Sequence, residues 1–152
     1  MFLDNRQVAM DSVQEALADS LDYFEDNAER LRPALLKAFE PFYASRVELK
    51  QALEVETRKH LSLMPRDADV ERDDYMWLWS RLKSIVSNDN QVLINELLEQ
   101  ERVLMQACST AFTHPLPDSM EKVLEGIFHN CRHLIRELYR HQTGQAARRR
   151  AG

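Results

Sequence analysis

The chain has 152 residues, one domain's worth and long enough to bury a core. Its 20 basic and 25 acidic residues leave a net charge of −5, which argues against nucleic acid as a partner, because that needs a basic face. No apolar run nears the roughly 20 residues that span a bilayer, and Met1 to Gln7 lacks a signal-peptide pattern, so a soluble cytoplasmic protein is expected.

Few breakers and abundant Leu, Ala, Glu, Gln and Arg favour helix throughout. Asp4 is placed to cap a first helix, with Gln7 completing a capping box. Met10, Val13, Leu17, Leu21, Phe24, Ala28 and Leu31 then recur at three- and four-residue steps, predicting a helix to about Arg30. Pro33 suits the first turn of a second helix, whose stripe reads Leu35, Ala38, Phe42, Leu49, Ala52 and Leu53 and which extends to about Leu61. Pro41 predicts either a kink or a later start.

The charged stretch Pro65 to Asp73 reads as a loop, followed by a short helix over about Asp74 to Val86. Trp77 and Trp79 crowd its start. Aromatics of this kind anchor interfaces or cap a bundle end as core material. A third helix is expected from about Asn90 to Phe112, with Leu93, Leu97, Leu104, Cys108 and Ala111 inward. His114-Pro115-Leu116-Pro117 stops it, and Asp118 with Glu121 predicts a second capping box. The fourth helix carries Met120, Leu124, Ile127, Cys131, Leu134 and Leu138 and is expected to run to about His141, which makes 1–142 one domain. Residues 143–152, with Arg148, Arg149 and Arg150, are expected to form a flexible basic tail. Cys108 and Cys131 both fall on apolar stripes and read as buried free thiols.

No strand-like alternation competes. The expected fold is an all-α, antiparallel ferritin-like four-helix bundle with a short extra helix between helices two and three. Several segments carry a family resemblance: Leu21-Asp22-Tyr23-Phe24-Glu25-Asp26-Asn27-Ala28-Glu29, then Ala44-Ser45-Arg46 through Leu49 and Leu53. Trp79-Ser80-Arg81-Leu82-Lys83 and Leu93-Ile94-Asn95-Glu96 through Glu99-Gln100-Glu101 complete it. In their order and spacing the chain resembles a bacterial, mostly proteobacterial, ferritin-like domain family of unknown function. The resemblance implies a ferritin-like bundle and no established activity. The family's usual Arg-Gly-Glu in helix three reads Glu99-Gln100-Glu101 here, keeping the glutamate and not the Arg-Gly.

Ferritin-like metal centres use glutamates and Glu-x-x-His pairs that project inward, and this sequence has no Glu-x-x-His. A row of Glu125, His129, His133, Glu137 and His141 runs along helix four at four-residue steps. With Ile127 at zero, its first four members fall at about 160°, 200°, 240° and 280°, on the outer face. In helix two, with Phe42 at zero, Glu56 and His60 fall near about −40° and 0°, at the mouth of the bundle. There they read as a hydrogen-bonded pair lining it, as a cationic His favoured by the helix C-terminus, or as metal ligands. Arg46 and Glu101 both lie near about 40° on their wheels, close to mid-helix. They either form an ion pair that fixes helix register or snorkel to the surface.

The function expected from these readings is a non-enzymatic, metal-free bundle acting through a protein partner or as a homo-oligomer, with no cofactor. The alternative is a carboxylate-bridged iron or manganese protein using Glu56, His60 and Glu101. No small-molecule ligand is indicated.

Overall fold

The computed structural model describes residues 4–65 and 89–151, the side chains of 89 and 143–151 excepted. Four long helices make up these residues: α1 (Asn5–Asn27), α2 (Pro33–Leu61), α3 (Asp89–Phe112) and α4 (Asp118–Ala151). A 3₁₀ turn, Ala28–Arg30, closes α1. There is no strand among the described residues, and no helix there is long and apolar enough to cross a membrane. The short helix expected over 74–86, with Trp77 and Trp79, lies outside the described residues.

Local chemistry sets the helix ends. Asp4 accepts from the Gln7 backbone N–H at 2.7 Å, and Gln7 Oε1 accepts from the Asp4 N–H at 2.9 Å, so two orphan donors are satisfied reciprocally. Pro33 opens α2, where its missing N–H costs nothing. Ser62 ends α2 in a left-handed conformation at φ 55. The Leu63 N–H then reaches back to the Thr57 carbonyl at 3.2 Å, and buried Leu63 covers the turn. Pro41 neither breaks α2 nor delays it; it sits on the exposed side, between inward Phe39 and Tyr43.

Two boundaries differ from the sequence reading. Asp118 is the first residue of α4 rather than a cap before it, so it and Glu121 both stand in the first turn. And α4 continues past His141 to Ala151 through the stretch read as a tail. Ala146, Ala147, Ala151 and three arginines are strong helix formers, and Gly144 costs only about 1 kcal/mol in a helix.

The inward face of α2 is rotated from the expected stripe. Leu35, Phe39, Tyr43, Arg46, Leu53, Thr57 and Leu61 are buried. Phe42, Ala38 and Leu49 flank them, and Ala52 is exposed. Turning Phe39 and Tyr43 inward buries two large ring surfaces that the Phe42-centred reading left outside.

α1 packs on α3 and α2, and α4 packs on α2 and α3. Hydrogen bonds fix which ends meet. Gln7 Nε2 donates to the Leu61 carbonyl at 2.8 Å, joining the start of α1 to the end of α2. The Arg32 N–H donates to Asn90 at 2.9 Å, placing the starts of α2 and α3 together. Ser119 donates to Glu56 at 2.8 Å, bringing the start of α4 to the end of α2. Gln142 donates to Asn95, bringing the far part of α4 to the start of α3.

The core falls into two apolar clusters along the helices. One gathers Met10, Val13, Leu17, Leu53, Leu104, Cys108 and the first part of α4. The other gathers Phe24, Leu35, Phe39, Tyr43, Leu93, Leu97, Leu134 and Leu138. All six residues of the α4 stripe, Met120 to Leu138, are fully buried.

Candidate functional site: a buried guanidinium shared by four helices

Between the two apolar clusters lies a polar layer centred on Arg46 of α2, which is 0 % exposed. A guanidinium carries five N–H donors in a fixed plane, and here five acceptors surround it. Nη1 donates to Glu101 Oε1 at 2.6 Å and Nη2 to Glu101 Oε2 at 2.9 Å, a bidentate pair. Nη1 also donates to Ser20 Oγ at 3.2 Å, and Nε donates to Asn130 Oδ1 at 2.9 Å. Nη2 makes a weaker contact to Cys131 Sγ at 3.7 Å. Ser20 belongs to α1, Glu101 to α3, and Asn130 and Cys131 to α4. One side chain therefore ties all four helices at a single depth.

The acceptors are held in turn. Ser20 Oγ donates to the Leu17 carbonyl at 2.9 Å, and Asn130 Nδ2 donates to the Phe42 carbonyl at 3.0 Å. Asn130 therefore binds both the side chain and the backbone of α2. Arg46 Cζ lies over the Tyr43 ring, 5.2 Å from its centroid, in cation–π range. The same ring stacks on Phe24 at 3.9 Å. Tyr43 Oη is buried with no hydrogen-bond partner among the described residues.

This packing governs protonation. Burial works against the Arg46 charge, but Glu101 beside it more than compensates and raises its pKa. Burial pushes the Cys131 thiol up, with Arg46 opposing and Glu101 adding to the rise. Burial likewise pushes Cys108 up, to about 12, and holds the Tyr43 phenol well above its ordinary value. Both cysteines are free thiols. A thiolate is the reactive form of cysteine, so neither is armed as a nucleophile.

Sequence reasoning brought Arg46 and Glu101 to one depth, and the structure joins them directly. Glu56 and His60 do not reach Glu101. They pair with each other at 3.2 Å at the end of α2, ten residues beyond Arg46, or about 15 Å along the helix. His60 is exposed and Glu56 half-buried, because the inward face of α2 is rotated from the stripe on which they were placed. Among the described residues no group of three or more His, Cys, Asp and Glu side chains is arranged to hold a metal ion.

On α4, Glu125, His129 and His133 are exposed. Glu137 accepts from Arg140 at 2.7 Å and lies 3.2 Å from His141. Burial alone would raise the Glu137 pKa, but the bonds to Arg140 and His141 prevail and lower it. Asn130, Tyr43 and Cys131 entered the site without a sequence signal of their own as polar partners. The one trace of Asn130 is its position on the edge of the α4 stripe, three residues from Ile127. No family model, no curated protein and no solved structure matches the chain.

Proposed function

We propose that the chain is a metal-free, ferritin-like antiparallel bundle that acts through contacts with a protein partner or with its own copies. The end-to-end hydrogen bonds support the fold. The start of α1 meets the end of α2, the starts of α2 and α3 share an end, and the start of α4 meets the end of α2. Neighbouring helices then run in opposite directions, with the starts of α2 and α3 at one end of the bundle, an order compatible with ferritin-like topology.

The observation that carries the metal-free reading is the occupation of both Glu101 oxygens by Arg46. The carboxylate that would bridge metals is already neutralised by a cation, and a dication beside the guanidinium would meet like charge. The donor set at this depth therefore does not fit a di-metal centre. Arg46 and Glu101 are 0 % exposed and engage each other, which favours work done by the outer faces.

Anaerobic Fe²⁺ and Mn²⁺ loading of tag-free protein, desalting and metal quantification test the first part. Metal far below one ion per chain is expected, and near-stoichiometric metal would overturn the reading. Light scattering across concentration and cross-linking in the native host test the second. A strict monomer with no captured partner would overturn it.

A further inference from the structure

We propose that the groove between α1 and α2 is a docking site for a basic amphipathic helix of a partner protein. The proposal rests on the reading of the chain as a contact module and names the face and the partner. Buried Phe24 and Tyr43, stacked on each other, line the groove together with Leu21, Leu36, Ala44 and Val47. Its volume is about 380 Å³, and Val47 within it is 44 % exposed.

Two observations select the occupant. The lining on α2 runs from Leu36 to Val47, about 16 Å or three helical turns. That length matches a helix anchored through positions i, i+3/i+4 and i+7. Glu25 and Glu40 also line the groove, no basic side chain does, and neither glutamate is engaged in an ion pair or hydrogen bond among the described residues. An occupant with lysines or arginines beside its apolar stripe completes that charge pattern.

The test is an NMR titration of the ¹⁵N-labelled full chain with a synthetic Leu/Lys helix carrying leucine at the i, i+3/i+4 and i+7 positions. A scrambled Leu/Lys peptide and a Leu/Glu helix serve as comparisons. Shifts are expected to concentrate on the α1–α2 groove, with the scrambled peptide binding at least about tenfold more weakly. Val47→Lys, at an exposed position that leaves the fold intact by circular dichroism, removes apolar contact and adds like charge, and is expected to weaken binding by a similar factor. The double variant Glu25→Lys/Glu40→Lys should lose the Leu/Lys helix and gain the Leu/Glu helix. Shifts spread over the acidic surface, equal binding of the scrambled peptide, or no effect of Val47→Lys would overturn the proposal. So would concentration-dependent groove shifts without peptide, which would assign the face to a second copy. Partner capture or self-association through another face would overturn this proposal and leave the contact reading standing.

Discussion

Taking away one member of the Arg46–Glu101 pair strands the other. Glu101→Gln leaves a guanidinium with no counter-charge at a position that is 0 % exposed, and Arg46→Met leaves a carboxylate in the same state. Breaking a buried pair in this way costs about 3–5 kcal/mol, whereas replacing both charges with apolar groups of similar volume is often neutral or stabilising. Urea denaturation should therefore show each single variant losing about 3–5 kcal/mol and the double variant Arg46→Met/Glu101→Leu recovering most of that loss. If the double variant falls by the sum of the singles, the pair contributes net stability and not only register. The recovery will be incomplete in one respect. Ser20 and Asn130 also lose a partner in any Arg46 variant, but each keeps its own bond to a backbone carbonyl, so the shortfall should be about 1 kcal/mol.

Among the elements, what was legible in the sequence was what is decided locally. The Asp4–Gln7 box, the Pro33 start and the α4 heptad depend on residues within a turn or two of one another, so spacing alone exposes them. The inward face of α2 depends on tertiary packing. Arg46 and Thr57 interrupt its apolar pattern, and only their partners on other helices make them interior residues. Asn130 finds Arg46 across 84 residues, a relation no local pattern records. The Arg46–Glu101 depth match was readable because both lie near mid-helix. Glu56 and His60 do pair with each other at the end of α2, as their four-residue spacing suggested, but they face further outward than the Phe42-centred wheel placed them.

Gly126 tests the same element logic. It stands inside α4 at a helical φ, and a Cβ there would meet Leu49 Cδ2 at 3.1 Å. Alanine gains about 1 kcal/mol over glycine within a helix. The contact is tight, but it falls on the tip of a half-buried leucine that can yield by a few tenths of an ångström. Gly126→Ala should raise the thermal midpoint modestly, with a net gain of about 0.5 kcal/mol. A lower midpoint would mean that Leu49 is held too firmly to move. Gly126→Val adds two methyl groups and a β-branched side chain against the same leucine and should destabilise.

At the scale of the whole molecule, one polar layer divides two apolar clusters, and the thiols and phenol beside it are held in their neutral forms. That ties stability to alkaline pH. Cys108 has an ordinary pKa of 9.0 and is pushed up by burial to about 12. Cys131 and Tyr43 shift in the same direction. Above pH 9 the unfolded chain releases these thiol protons while the folded chain keeps them, so unfolding gains free energy as pH rises. A raised folded-state value means that this contribution is fully present below pH 9 and is lost progressively through about pH 12. Each thiol should steepen the decline by about 1.4 kcal/mol per pH unit in that window. Urea midpoints measured from pH 7 to 10.5 should therefore show a break near pH 9. The double variant Cys108→Ala/Cys131→Ala starts from a lower midpoint because of the cavities it leaves, but it should decline less steeply above the break. Equal slopes in the two proteins would show that the thiols ionise without unfolding the bundle, and the polar layer would then be open to solvent rather than sealed between two cores.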